Sequence, residues 1–262
     1  MSLKIASWNI NSIRLRIDNL LSCIKKYDFD VIAIQETKTP DEFFPLEQLK
    51  KIGFNYIHFA GQKSYNGVAI ISKIPFLETT SFNMLDKDDK RHVGVKLENN
   101  LTIHNFYIPA GGDIPDRNLN EKFGHKLDFV DEIGNIFNKE QKQSIILGDF
   151  NIAPFEHDVW SHKQLANVVS HTEIEITKLN QMKAKANWVD SHREFIPLDQ
   201  KLYSWWSYRA RDWKKSNRGR RLDHIWVSPD LKDKLLDTNI YKETRGINSP
   251  SDHAIIDINI KA

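Results

Sequence analysis

At 262 residues, with 40% hydrophobic and 27% charged side chains, the chain has ordinary globular composition, which excludes a disordered or fibrous polymer and supplies material for a large core. One cysteine, Cys23, excludes an internal disulfide and a thiolate metal cage, and it suits a reducing compartment, here the cytoplasm. Net charge is only +2, yet eight basic residues between Lys201 and Arg221 against Asp212 alone give that segment +7 and the remainder −5, the footprint of a polyanion-binding surface.

Met1-Ser2-Leu3-Lys4 leads directly into apolar sequence without the features of a signal peptide, and no run is long enough to span a membrane. Neither secretion nor membrane insertion is expected. Ile5 to Trp8 reads as a short buried strand. Ile13, Ile17, Leu20, Leu21 and Ile24 then recur at three- and four-residue steps, which predicts a helix. Val31-Ile32-Ala33-Ile34 is an uninterrupted apolar run suited to an interior strand. After turn chemistry at Tyr65-Asn66-Gly67, alternation over Val93, Val95 and Leu97, and over Leu101 and Ile103, predicts two more strands. A loop follows at Pro109 to Asp113. Phe123, Leu127, Val130, Ile133 and Phe137 form a second helical stripe, and Ile145-Ile146-Leu147 a second interior strand. The order of helix, strand and acid thus occurs twice, with Glu36 and Asp149 as the acids, which suggests two related halves. Beyond a turn at Asn248-Ser249-Pro250, Ala254, Ile256, Ile258 and Ile260 alternate with Asp257 and Asn259 as a last strand. No linker or low-complexity tract divides the chain, so residues 1–262 are expected to form one α/β domain of two packed sheets with outer helices.

Interior strands ordinarily end in apolar or turn-forming residues. Three here run into oxygen-bearing side chains: Trp8-Asn9-Ile10-Asn11, Ile34-Gln35-Glu36 and Leu147-Gly148-Asp149-Phe150-Asn151. Such groups beside a core cost free energy unless satisfied. Asp223 in Arg221-Leu222-Asp223-His224 and Asp252 in Ser251-Asp252-His253 also adjoin strand patterns. If these ends converge, their carboxylates share one pocket, and mutual repulsion favours a bound divalent cation. Hard oxygen ligands without a Cys/His cluster suit magnesium or manganese rather than zinc. Singly, each residue has an ordinary structural use: an acid in a turn or surface ion pair, an asparagine bonding its own loop, Tyr107 packing its ring, or His58, His104 and His253 as satisfied histidines. In the basic segment Tyr203, Trp205, Trp206, Tyr208 and Trp213 interleave with the cations, a pattern that neutralises phosphates and stacks on exposed bases or a flipped sugar.

Taken together, Ser7-Trp8-Asn9-Ile10-Asn11, Gln35-Glu36-Thr37-Lys38, Tyr65-Asn66-Gly67-Val68-Ala69, Tyr107-Ile108-Pro109, Gly148-Asp149-Phe150-Asn151-Ile152-Ala153-Pro154, Arg221-Leu222-Asp223 and Ser251-Asp252-His253 resemble the exonuclease III family of abasic-site endonucleases. The resemblance runs in order over nearly the whole chain. Ser12, His224 and Asn11 depart from residues common in the family, where a glycine, an aromatic or aliphatic residue, and in some members an acid stand. The resemblance implies a DNase I-like four-layer α/β sandwich, two mixed β-sheets flanked by helices. It implies magnesium-dependent hydrolysis of DNA 5′ to abasic sites, with 3′ to 5′ exonuclease and 3′-end trimming activity on duplex DNA, in a protein expected to be a monomer.

Carried across position by position, it implies Glu36 as the main magnesium ligand, with Asn9, Asn11 and Asp252 completing the shell partly through water. Asp223 would orient and charge-balance His253, which bonds the scissile phosphate or helps activate water. Asp149 would be the proton-transfer group, activating water or protonating the leaving 3′ oxygen, and both assignments stay open. Asn151 and Tyr107 would donate hydrogen bonds to the transition state. Trp205, Tyr208, Arg209, Trp213, Arg218 and Arg220 would bind duplex DNA carrying abasic sites or 3′ ends. One rival is a sphingomyelin or phosphoinositide phosphodiesterase or an RNA deadenylase of the same superfamily; the basic, aromatic segment favours nucleic acid. The other, a catalytically dead nucleic-acid-binding protein, conflicts with intact Glu36, Asp149, Asn151, Asp223 and His253.

Overall fold

β1 (Ser2–Asn9), α1 (Ile13–Tyr27) and β2 (Val31–Gln35) form where the apolar patterning predicts them, and β1 and β2 pair in parallel. A parallel pair needs a crossover connection, which α1 supplies while burying Ile13, Leu20 and Ile24. Next come α2 (Leu46–Lys50), β3 (Tyr56–Ala60), β4 (Val68–Ser72), β5 (Phe76–Thr80) and β6 (His92–Leu97). β7 (Thr102–Tyr107), α3 (Glu121–Ile136) and β8 (Ser144–Asp149) then repeat the parallel strand, helix and strand unit, as the twofold pattern of helix, strand and acid suggests. Beyond them lie α4 (His162–Leu165), α5 (Glu173–Lys185), β9 (Val189–Asp190), α6 (Ser191–Phe195) and β10 (Trp205–Trp206). The chain continues through α7 (Trp213–Ser216), β11 (Gly219–Arg220), β12 (Asp223–Val227), β13 (Leu235–Tyr241) and β14 (Ile255–Lys261). The structure, a computed structural model, describes residues 2–261.

Two mixed six-stranded sheets result, one in the order β13-β14-β1-β2-β4-β3 and the other β5-β6-β7-β8-β12-β9. Alternation decides which side chains face which layer. Ile5, Val31, Val68, Ile256 and Ile258 from the first sheet meet Val93, Ile103, Ile145, Leu147 and Ile225 from the second in a core between the sheets. Trp8, Ile32 and Ile34 point the other way, onto α1. Ile146 and Trp226 likewise back onto Phe129, Val130 and Ile133 of α3 and onto Leu179 and Met182 of α5. The layers are helix, sheet, sheet and helix, and each fully buried aliphatic side chain contributes about 1.5–3 kcal/mol. No described helix is long and apolar enough to cross a membrane.

A polar seam interrupts the inter-sheet core toward one end. Gln35 Nε2 donates to Ser7 Oγ at 3.0 Å and to Asn105 Oδ1 at 2.7 Å, and Asn105 Nδ2 donates to Ile34 O and Ala69 O, both at 2.9 Å. These bonds join β1, β2 and β4 to β7 and fix how the two sheets sit against each other. Immediately beyond the seam lie the ends of β1, β2, β7 and β8. Gly148 makes the close approach between β7 and β8 feasible: its φ is +135°, and a Cβ there would stand 1.9 Å from Phe106 O.

Candidate active site

The parallel pairing places Asn9 opposite Gln35 and Tyr107 opposite Asp149, so two adjacent strand ends in each sheet bring Glu36, Tyr107, Asp149 and Asn151 to one cleft. The turns that follow are held in the left-handed region at Asn11, Glu36 and Asn151, with φ of 49°, 53° and 54°, a conformation non-glycine residues adopt chiefly where surroundings enforce it. Asn9 Nδ2 links the sheets by donating to Glu36 Oε1 at 2.8 Å and Asp149 Oδ2 at 2.9 Å. Tyr107 Oη donates to Glu36 Oε1 at 2.8 Å. Burial and the adjacent Glu36 and Asp149 charges hold the tyrosine proton on well above its ordinary range.

The second sheet brings Asp223 beside Asp149 through the β8 and β12 pairing. His253 lies between them, with Nδ1 2.8 Å from Asp223 Oδ2 and Nε2 3.7 Å from Asp149 Oδ2. Although burial opposes its charge, the two carboxylates raise the imidazole to about 10. Burial, with Asp223 and Glu36, pushes Asp149 up to about 7 against the pull of His253 and Asn9. With a carboxylate on each side, the imidazole keeps its proton at neutral pH. Ser204 Oγ donates to Asp223 Oδ2 at 2.6 Å, and Ser251 Oγ donates to Asn9 O at 2.6 Å. Both hydrogens of Asn151 Nδ2 are engaged, at 2.9 Å to Ile108 O and 3.2 Å to Asp149 Oδ2, so donation to a substrate would replace one of these bonds.

At the open side, Glu36 Oε2 and Asn11 Oδ1 share the ammonium of Lys38, each at 2.7 Å. Asp252 adjoins this edge, accepting from Asn11 Nδ2 at 3.2 Å and Trp205 Nε1 at 3.0 Å. Burial raises the Glu36 carboxyl, but Lys38 and Asn9 outweigh it and hold it below the usual range. For Asp252, His253, Trp205 and Asn11 likewise prevail over burial. Lys38 thus stands where hard oxygens converge on a cation, a donor set that fits magnesium. Asp149, Asp223 and His253 also offer ligand atoms within 4.8 Å of one another, a grouping that could hold a metal ion.

The cleft of about 720 Å³ beside these groups is lined by Trp160, Leu165, Val168, Trp205, Leu222, Arg209, Arg218 and Arg220, together with Tyr107, Asp149, Asn151 and His253. The guanidinium of Arg218 lies 4.6 Å from the Trp160 ring centroid and that of Arg220 5.5 Å from Trp205. Of the six residues expected to bind DNA, Trp205, Arg209, Arg218 and Arg220 reach this cleft. Tyr208 and Trp213 do not line it. Tyr208 Oη donates to Pro250 O at 2.7 Å and accepts from Arg16, while Trp213 packs on Trp206 with ring centroids 5.2 Å apart; both brace the 206–250 region. Sequence reasoning passed over Lys38, Ser204 and Trp160. Lys38 stood inside a quoted block, whereas Trp160 and Ser204 carry no local signal.

A two-sheet sandwich that gathers strand-end carboxylates, amides and a histidine beneath a cationic aromatic cleft defines a class: the chain belongs to the Endonuclease/Exonuclease/phosphatase family, whose model matches residues 6–253. Exodeoxyribonuclease III of Haemophilus influenzae is 32% identical across 97% of this chain and 98% of its own. An exodeoxyribonuclease of Bacillus subtilis is 30% identical across 98% of both. An AP endonuclease from Archaeoglobus fulgidus superposes with a TM-score of 0.92 at 28% identity, covering 99% of this chain and 100% of that one. The 3′ phosphatase NExo from Neisseria, bound to product DNA hairpin, gives 0.89 at 25% identity, with the same coverage.

Proposed function

We propose that this protein is a magnesium-dependent DNA repair phosphodiesterase that cuts DNA 5′ to abasic sites and trims 3′ ends, with manganese as a substitute ion. The observation that carries the reading is His253 held between Asp223 and Asp149, next to Glu36 and on the floor of a cleft walled by Trp160, Trp205, Arg218 and Arg220. Glu36, Asn11 and Asp252 would hold the ion, with Asn9 orienting Glu36. Once bound, magnesium supplies charge neutralisation to the phosphate.

The residues of the chain do the remaining work. The imidazolium of His253, fixed by Asp223, presents a cation and an N–H at Nε2 to a phosphate oxygen. Tyr107 and Asn151 exchange their internal bonds to Glu36 and Asp149 for bonds to the same phosphate, in whose transition state charge accumulates. Asp149, released from the Asn151 amide, takes the proton of an attacking water or returns one to the leaving 3′ oxygen. Arg209, Arg218 and Arg220 neutralise flanking phosphates, and the two tryptophans face the displaced sugar. The whole chain is proposed to act as one catalytic domain and as a cytoplasmic monomer.

The test is cleavage of a duplex oligonucleotide carrying one abasic-site analogue, with magnesium, with chelator, and with the Asp149→Asn variant. Metal-dependent incision immediately 5′ to the lesion, lost in the variant, is expected. An intact duplex after incubation of folded protein with either metal would refute the reading and direct attention to lipid phosphodiesters or poly(A).

A further inference from the structure

Lys126 of α3 lies entirely inside the protein. Its ammonium engages all three of its hydrogens: one on the Glu175 carboxylate of α5, one on Asn151 O at 2.8 Å and one on Ala110 O at 3.3 Å. Glu175 is equally buried and accepts from Ser170 N at 2.9 Å and Thr172 N at 3.1 Å. Ser170 Oγ in turn accepts from Arg220 Nη1 at 2.7 Å. One ion pair therefore fastens three separate segments that line the cleft, at Ala110, at Asn151 and at Ser170.

Stability alone gives no account of this arrangement. Two charges taken out of water cost several kcal/mol each to desolvate, and replacing a buried pair with apolar groups of like volume is often neutral or stabilising. Geometry does account for it. The left-handed turn at Asn151 aims its side chain at Asp149, and its carbonyl must be anchored for that aim to hold; Lys126 is the anchor. Misplacing a reacting group by about 1 Å costs up to about 100-fold in rate.

We propose that the Lys126–Glu175 pair is the positioning device of the phosphodiester reaction, setting Asn151 and the Ala110 and Ser170 walls relative to the reacting phosphate without touching it. This rests on the hydrolase reading above. The test compares wild type, Lys126→Met/Glu175→Met and Lys126→Arg on the abasic duplex in magnesium, alongside circular dichroism and hydrogen exchange of the 149–153 amides. The double variant removes both charges while keeping volume, so it should fold. Its kcat should fall about 30-fold or more, with KM changed less than about 3-fold. Amide exchange in the turn should rise about tenfold or more. Lys126→Arg, which retains charge and donors, should restore at least about one third of the wild-type kcat.

A folded double variant whose kcat lies within about 3-fold of wild type overturns the proposal, as does a loss confined to KM. If the double variant does not fold, Glu175→Gln is held to the same kcat criterion. Absence of incision by the wild type would sink the hydrolase reading instead, and the exchange measurement would then decide whether the pair holds the turn.

Discussion

Asp223→Asn removes one charge while preserving shape, and the structure sets what should follow. Asp223 Oδ2 accepts from Ser204 Oγ at 2.6 Å and contacts His253 Nδ1 at 2.8 Å, while Oδ1 has no partner among the described residues. The imidazole stands at about 10 against an ordinary 6.5, and Asp223 contributes most to the rise, ahead of Asp149. Replacing that carboxylate with a neutral amide removes a charge-assisted hydrogen bond to the ring, worth about 1.5–3 kcal/mol. If the imidazolium acts on the transition state, that equals about 10- to 150-fold in rate, and kcat on the abasic duplex should fall by that amount. In an NMR titration, its His253 ring should move toward its ordinary value. A folded Asp223→Asn protein that keeps kcat within about 3-fold of wild type, or whose imidazole stays protonated to the same pH, refutes the reasoning.

Other outcomes follow from the same geometry. Glu36→Gln should lose at least about 100-fold in magnesium-supported cleavage, and a wild-type rate would exclude Glu36 as the ion's main ligand. Arg209→Ala should weaken duplex binding uniformly across sequences and lower the slope of log affinity against log salt by about 1; an unchanged slope would place Arg209 off the phosphates. Arg221 is buried and paired with Asp158 and Asp190, and after opposing burial it holds Asp190 down to about 2. Arg221→Met should cost about 3–5 kcal/mol in urea unfolding, and a loss under about 1 kcal/mol would contradict the account. His104 is held down to about 4 by burial, so the folded state resists a proton that the unfolded chain accepts near 6.5. Its contribution is full above about pH 6.5 and is lost as pH falls toward 4, worth up to about 3 kcal/mol. His104→Gln should flatten melting temperature over that window, and an unchanged profile would assign the acid sensitivity elsewhere.

Much of the scaffold was legible because its two parallel units write their roles into apolar runs. Val31 to Ile34 and Ile145 to Leu147 are buried on both faces, so hydrophobicity alone marks them, and the acids that follow stand out. β3, β5 and β13 were not foreseen. They are edge strands with no fully buried residue, and Glu78, Thr79, Asp237 and Asn239 break the alternation. α5 escaped notice because its face is sparse: Leu179 and Met182 are buried, and the other buried residue is Glu175. The carboxylates and His253 could be nominated from strand ends and family motifs. That they meet depends on register between distant strands, such as Asp223 opposite Asp149, which no local pattern encodes. Composition marks the basic, aromatic segment as a unit, but which of its side chains line the cleft and which, like Tyr208 on Pro250 and Trp213 on Trp206, pack against neighbouring segments depends on loop paths that no local pattern encodes.

The position of β14 bears on how the protein comes into being. This strand inserts between β13 and β1, and Asp252 and His253 precede it directly. During synthesis β1 is made long before β14 and keeps the edge that β14 covers open until then. Such an edge invites pairing with another chain. A nascent polypeptide that has not reached β14 therefore lacks both His253 and the strand that joins β13 to β1. The completed site and the protection of that edge would arrive together.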